Sequence, residues 1–260
     1  MTMDQETQGH EGLTALPGAD AFLPEALIGD FQGKLIVVEG PDGSGRTTHI
    51  TLLQDWLEWR GYAVTIFGLK RSKLLGKDLS DLAASNEVQP LTRLLLYATD
   101  FYDQLERTVL PALRAGFVVL ADRSEMTLAC RAAVRGIGRD YLANLFHYVV
   151  EPDLKILLDV PPEKAFQRLF HQRQKLSHLE FGGDIAMGKS VYENFMSYQK
   201  RIRTEFHRVG DRDGFTRVNA DRSVQVVSED LRRLVAETLG IEETKYRPSE
   251  HLLHVWNQTV

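Results

Sequence analysis

The chain is 260 residues long, 43% hydrophobic and 26% charged, with a formal net charge of −5. That length buries a core of one domain of moderate size, and the composition is that of an ordinary globular protein. The acidic balance excludes a general nucleic-acid binder, though not a local basic site for a phosphorylated small molecule. Cys130 is the single cysteine, so no internal disulfide forms, and in a helix-like segment it reads as a small packed hydrophobe. No apolar stretch approaches the roughly 18–20 residues of a membrane span, and the start of the chain lacks a basic segment followed by an apolar core. Neither a membrane partner nor a secretory signal is expected, and the cytoplasm is the default location.

Residues 1–33 read as an N-terminal extension, disordered over the first dozen or so, with 23–31 packing as a short helix. Over 34–240, short apolar runs alternate with helical patterns, the mark of βαβ units and a parallel sheet. Five runs, 35–38, 63–67, 117–121, 155–160 and 215–218, are apolar on both faces, as buried parallel strands are. In 47–60, Ile50, Leu53, Trp56 and Leu57 share one helical face, and Gly61 is the stop signal. Residues 90–114 predict a long helix, interrupted or ended near Pro111. Residues 162–174 open on a proline at a first-turn position, where its missing N–H is harmless. Residues 223–239 begin at an N-cap serine and close at Gly240. The C-terminal extension, 241–260, contains Pro248 and wraps or extends the fold.

The densest signal lies between the first run and the first helix: Gly40-Pro41-Asp42-Gly43-Ser44-Gly45-Arg46-Thr47-Thr48. This is the spacing of a phosphate-binding loop, G-x-x-x-x-G-K-[ST], with Arg46 in the lysine slot. Glycines let the backbone curl so that successive N–H groups face one anion, and the following helix adds the positive end of its dipole. The basic side chain neutralises β- and γ-phosphates, and the Thr47 hydroxyl can hold Mg²⁺.

In open α/β sheets ligands gather at the carboxyl ends of the strands. Asp122-Arg123 follows the third run there: the aspartate can hold Mg²⁺ and the arginine a second anion. Asp159, near the end of the fourth run, is a further charged group. The segment 168–189 is basic (Arg168, His171, Arg173, Lys175, His178, Lys189) and contains Gly182-Gly183, as suits a lid closing over a phosphoryl donor. The histidines, without a cysteine partner or a tight cluster, read as surface or core residues rather than metal ligands. Asp211-Arg212-Asp213 reads as a solvated turn before Gly214.

Over about 34–239 the chain resembles thymidylate kinases. The resemblance rests on ordered segments: Val38-Glu39-Gly40-Pro41-Asp42-Gly43-Ser44-Gly45-Arg46-Thr47-Thr48, Leu94-Leu95-Leu96-Tyr97-Ala98-Thr99-Asp100 and Ala121-Asp122-Arg123-Ser124. After these come Glu151-Pro152-Asp153-Leu154-Lys155-Ile156-Leu157-Leu158-Asp159-Val160 and Val218-Asn219-Ala220-Asp221. It implies a P-loop NTPase of three layers, α/β/α, with a five-stranded parallel sheet and an Arg-rich lid. It implies a kinase moving the γ-phosphate of ATP, with Mg²⁺, to a nucleoside monophosphate. By the same resemblance, Gly40 and residues Gly43 to Thr48 bind the donor phosphates and Asp42 lies between donor and acceptor. Arg123 grips the acceptor phosphate, Arg168 and Arg173 assist transfer from the lid, and Tyr97 stacks on the acceptor base. A homodimer through helices beside the acceptor site follows by analogy.

Departures from the family pattern concentrate on the acceptor side. Phe101 stands where an arginine usually reads the thymine edge, Leu128 falls where Asn or Gln is common, and Arg131 replaces a Tyr or Gln. The turn after the second run lacks its usual proline. The donor half is therefore expected to be retained with one substitution, and the acceptor-base half rewritten and less discriminating. A catalytically weak nucleotide-binding paralogue, acting as a sensor or interaction protein, is the alternative reading.

Overall fold

Along β1 (Lys34–Glu39), Leu35 and Val37 face one way and Ile36 and Val38 the other, and all four are at most 5% exposed. A strand buried on both faces needs helices above and below, and the computed structural model supplies them. It describes residues 31–85, 88–173, 176, 178–185 and 187–256, with no description of the side chains of 83–85 and 172–173. After β1 come α1 (Arg46–Trp59), β2 (Val64–Gly68), α2 (Gly76–Ser85) and α3 (Pro90–Gln104). A π-helical turn (Leu105–Val109), α4 (Leu110–Arg114), β3 (Val118–Asp122), α5 (Glu125–Val134) and α6 (Arg139–Leu145) follow. The rest is β4 (Leu154–Asp159), α7 (Pro162–Arg173), α8 (Val191–Asp213), β5 (Thr216–Asn219), α9 (Val224–Leu239) and a short α10 (Leu253–Trp256).

The five strands form one parallel sheet in the order β2-β3-β1-β4-β5. Ile36 and Val38 join Leu120, Ile156 and Leu158 beneath α1, α7 and α9. Leu35 and Val37 join Val119 and Ala121 beneath α3 and α5. Tyr198, Ile202 and Phe206 of α8 close on Met126 and Cys130 of α5, which accounts for Cys130 as a packed hydrophobe. The expected fold class and the five expected strands are therefore those found, with edges shifted by about a residue.

Several local expectations change. The helix from Pro90 is interrupted, as one of the two expected outcomes had it, by the π turn just before Pro111, and it runs on to Arg114 rather than ending there. Pro111 cannot donate to the carbonyl one turn back, and the wide turn before it takes up the mismatch. Asp211, Arg212 and Asp213 are the last turn of α8, a 23-residue helix that Gly214 ends with φ 75°. The expectations for 1–30 lie outside the described residues, as does that for Lys175. Residues 241–256 strap across α1 and α9. Arg60 donates to Thr244 Oγ1 at 3.0 Å, Ser249 N donates to Asp55 at 3.1 Å, and the Arg232 guanidinium lies over the Tyr246 ring at 5.4 Å. Among the described residues no helix is long and apolar enough to cross a membrane.

Candidate active site

The sheet order reverses direction at β1, which opens a crevice at the carboxyl ends of the strands. There the register sets Val38 beside Asp122, so the loop after β1 and the residues after β3 share one site. Gly40 (φ +149°) passes so near β4 that a Cβ would lie 2.5 Å from the Leu158 carbonyl oxygen. Gly43 (φ +79°) meets the first turn of α7, 2.8 Å from Ala165 O. Both positions need the missing side chain as well as the positive φ. At the head of α1, the N-cap Gly45 makes no side-chain capping bond, which leaves the first-turn N–H groups to an anion.

Arg46 lies under this loop, 6% exposed. Its Nη1 donates to the carbonyls of Gly40 and, at 2.7 Å, Pro41, and its Nε to Asp122 at 3.3 Å. Burial and the nearby Arg123 push its pKa down to about 10 against the pull of Asp122 and Asp42, which leaves it charged at neutral pH. The side chain is a forked strut for the loop as well as a cation. The Thr47 hydroxyl donates to Asp122 at 2.8 Å.

Asp42, at the loop's tip, gathers three arginines. Arg131 donates to both its oxygens at 3.0 and 2.8 Å, Arg123 Nη2 donates to Oδ1, and Arg46 Nη2 lies 3.8 Å away. Burial alone would raise this carboxyl, but Arg131, Arg123 and Arg46 together hold it far below the usual carboxylate range. Burial would likewise lower Arg131, and Asp42 reverses that. Arg123 sits at φ 82°, a strained value for a residue with a side chain, and its N–H donates to Val38 O at 3.3 Å.

On one side of this cluster opens a cavity of about 910 Å³, lined by the loop, Arg123, Lys164, Arg168, His171 and Arg222. Arg168 spans it from α7, donating to Ala220 O at 2.8 Å and Gly43 O at 3.4 Å. His49 also lines it: burial and Arg168 push its pKa down to about 4, so the ring is neutral, and Nδ1 has no hydrogen-bond partner. The side chain of Arg173 lies outside the described part of the molecule.

On the other side lies a pocket of about 40 Å³, room for a few waters, lined by Leu94, Tyr97, Leu128, Arg131 and Leu179 among others. Phe101, expected on this side, is in the core instead: it is 3% exposed, edge-on to Phe67 at 5.4 Å and packed against Phe146. It lies one helical turn beyond Tyr97, which carries it past the pocket toward the sheet. Tyr97, Leu128 and Arg131 stay together at the pocket wall.

Sequence reasoning gave no role to three carboxylates, two of them fully buried, that build this site. Glu39 Oε1 accepts from the N–H and hydroxyl of Ser124 at 2.7 and 2.8 Å, and Oε2 accepts from the Thr127 hydroxyl at 2.6 Å. It ties the end of β1 to the head of α5. Asp100 accepts from the N–H groups of Lys70 and Ser72 at 2.7 and 3.0 Å and pins the turn after β2. Asp184, between α7 and α8, accepts from Arg93 and Arg135. A usable signal existed for Glu39, a charge ending a wholly apolar strand. Asp159, considered at the sequence level, is taken by Arg203, which donates to both its oxygens at 2.7 Å, and by His207.

The thymidylate kinase family model matches residues 38–231. A probable thymidylate kinase 2 of Saccharolobus solfataricus is 31% identical over 207 residues, 79% of this chain and 97% of the relative. A probable thymidylate kinase of Pyrococcus abyssi is 29% identical over 218 residues, 81% of this chain and 100% of the relative. A thymidylate kinase of Caldicellulosiruptor saccharolyticus is 30% identical over 222 residues, 80% of this chain and 98% of the relative. The loop and the Asp-Arg pair lie within the matched residues, and the chain belongs to the thymidylate kinase family.

Proposed function

We propose that this chain transfers the γ-phosphate of ATP to the phosphate of thymidylate or a closely related nucleoside monophosphate. The observation that carries the reading is the meeting of Arg123 and Arg131 on the Asp42 carboxylate. They meet at the tip of the phosphate loop and at the boundary between the large cavity and the Tyr97 pocket. Two phosphoryl groups brought to that boundary face each other across guanidinium forks suited to bidentate contacts.

The donor phosphates lie against the backbone N–H groups of Gly43, Ser44, Gly45, Arg46, Thr47 and Thr48. Arg168, fixed by two carbonyls, neutralises them from above, and Arg173 joins it from the same helix. The Thr47 hydroxyl and the Asp122 carboxylate are hard oxygen donors 2.8 Å apart, which fits them to Mg²⁺. A Mg²⁺ held by these two oxygens would supply charge neutralisation for the donor phosphates. Arg123 holds the acceptor phosphate, one oxygen of which attacks the γ-phosphorus in line while the bond to the β-phosphate oxygen breaks and ADP leaves. Asp42 keeps Arg123 and Arg131 aimed and offsets their mutual repulsion. Catalysis is positioning and charge neutralisation, and no covalent enzyme intermediate is needed.

Tyr97 stacks on the base, and stacking tolerates any base. Leu128 offers no hydrogen bond and Phe101 lies in the core, so discrimination between bases is looser than a hydrogen-bonded thymine site gives. Residues 34–240 form the kinase domain, with 1–33 and 241–260 as extensions. Leu91 and Leu95, 49% and 42% exposed on α3, supply a homodimer face.

The test is phosphoryl transfer from Mg²⁺-ATP to thymidylate, uridylate, cytidylate, adenylate and guanylate, with the diphosphate detected directly. Thymidylate turnover with less than a thousandfold preference over another base is the expected result. No transfer to any of them would overturn the function, and a thousandfold or greater preference would overturn the loose-specificity part alone.

A further inference from the structure

The connection between α7 and α8 returns across the acceptor side, and one carboxylate fastens it there. Asp184 Oδ2 accepts from Arg93 Nη1 at 2.9 Å and from Arg135 Nε at 2.7 Å, while Oδ1 accepts from Arg135 Nη2 at 3.0 Å. The three side chains are only 9%, 13% and 6% exposed. Arg93 stands on α3 and Arg135 just past the end of α5, so one side chain from the connection joins two elements that wall the Tyr97 pocket.

Arg93 and Arg135 invite a reading as substrate ligands, because both line that pocket. Both guanidinium groups are already engaged within the protein. Arg135 gives Nε and Nη2 to Asp184, and Nη1 to the Tyr198 hydroxyl at 2.8 Å and Arg131 O at 3.0 Å, with its guanidinium 5.1 Å above the Tyr198 ring. Arg93 gives Nη2 to Val88 O at 2.6 Å. A neutral base edge does not compete with a carboxylate for such forks. Their partner is the connection itself.

Five residues before Asp184, Leu179 stands in the pocket wall beside Tyr97. The stretch between them is held from α8: Asn194 donates to Phe181 O at 2.7 Å and Gly182 O at 2.8 Å, and Gln199 donates to Glu180 O at 2.8 Å. A Cβ on Gly182 would lie 2.7 Å from the Tyr198 ring, so the chain is pressed flat on α8 at that point. The position of Leu179 is therefore set through the residues that follow it, by α8 and by Asp184.

We propose that Asp184 is a positioning residue for the acceptor: by bridging Arg93 and Arg135 it fixes Leu179 as the outer wall of the acceptor-base pocket. The proposal rests on the kinase reading for its substrate. Glu180 of the same segment also borders the large cavity, but of the two residues Leu179 alone lines the acceptor pocket, so its displacement acts on the acceptor.

Asp184→Asn keeps the shape and removes the charge. The expected result is a rise of tenfold or more in KM for thymidylate, with KM for ATP within twofold. Hydrogen exchange over 178–185 should quicken at least tenfold. Leu179→Ala should reproduce the thymidylate effect without the change in exchange. Arg93→Lys, which keeps the charge but not the fork, is the milder variant should the Asn form fold poorly, and should shift thymidylate KM in the same direction. Unchanged exchange in Asp184→Asn, a thymidylate KM that stays or falls, or parallel rises in both KM values would each overturn the proposal. The exchange readout needs no turnover. A wild-type chain that transfers to no monophosphate would count against the kinase reading and leave exchange to decide the bridge.

Discussion

The donor side and the acceptor side of this crevice are built in opposite ways. The donor side is one contiguous stretch, 40–49, bent by glycines, of which Gly40 and Gly43 press on the backbone of Leu158 and Ala165, with Arg168 added from above. It opens into about 910 Å³. The acceptor side is assembled from α3, α5 and the segment before α8, held by the Asp42 and Asp184 clusters of buried arginine–carboxylate contacts, and leaves about 40 Å³. A site made by backbone geometry tolerates an altered side chain such as Arg46 as long as the loop keeps its path. A site made by side chains from distant elements changes its specificity with each one.

The strongest way to break this comparison is to restore the family's arginine at position 101. If the position faced the acceptor, Phe101→Arg would sharpen the preference for thymidylate. Among Phe67, Tyr102 and Phe146 it instead buries a charge without a partner, and a loss of about 3–5 kcal/mol in denaturant stability is expected. A stable variant with sharper base discrimination would refute the core placement. Next in size is Arg123→Gln, expected to lower kcat for transfer by about 10²–10³-fold, ~3–4 kcal/mol of transition-state stabilisation, with ATP affinity within about threefold. An equal fall in ATP affinity would move Arg123 to the donor side.

How much of this was legible follows the same division. The loop, the five strands and the Ser223-to-Gly240 helix are local patterns, so spacing and caps found them. Asp122 and Arg123 were legible because strand ends converge in a parallel sheet. Phe101 was misplaced because matching it to a motif ignores where the helix turns: one turn past Tyr97 the side chain meets Phe67 and Phe146. Arg131 was singled out, but that it shares Asp42 with Arg123 depends on α5 being docked by Glu39, a long-range contact with no local pattern. The Arg93–Asp184–Arg135 bridge joins positions 91 and 49 residues apart, and no periodicity encodes it.

Glu125 sharpens the comparison from outside the crevice. At the first turn of α5 it faces Phe67, Phe101 and Leu105, and burial, helped by Glu39, pushes its pKa from 4.5 up to about 7 against its own backbone contact and Lys155. The folded state thus keeps a proton that the unfolded chain has lost, so wild-type stability is fullest below pH 4.5 and falls as pH rises through 7. Glu125→Gln removes that dependence. Between pH 5 and pH 8, unfolding titrations should show the variant gaining on the wild type by about 2 kcal/mol. Parallel curves would show a solvated, ordinary carboxylate.

The smallest effect is expected at the residue that departs most visibly from the family motif. Arg46→Lys restores the usual cation. The lysine keeps the charge near Asp122 and Asp42 but has no fork, so it cannot hold Gly40 O, Pro41 O and Asp122 at once. The loop's path does not depend on those bonds alone, since Gly40 and Gly43 are fixed by their contacts with Leu158 and Ala165. A looser strut and a more mobile cation act in opposite directions on transfer. The net change in kcat is expected to be tenfold or less, about 1.4 kcal/mol, and toward a lower rate. A gain of a hundredfold would show that Arg46 obstructs the phosphates. In that case the donor side, and not only the acceptor side, would have been rewritten.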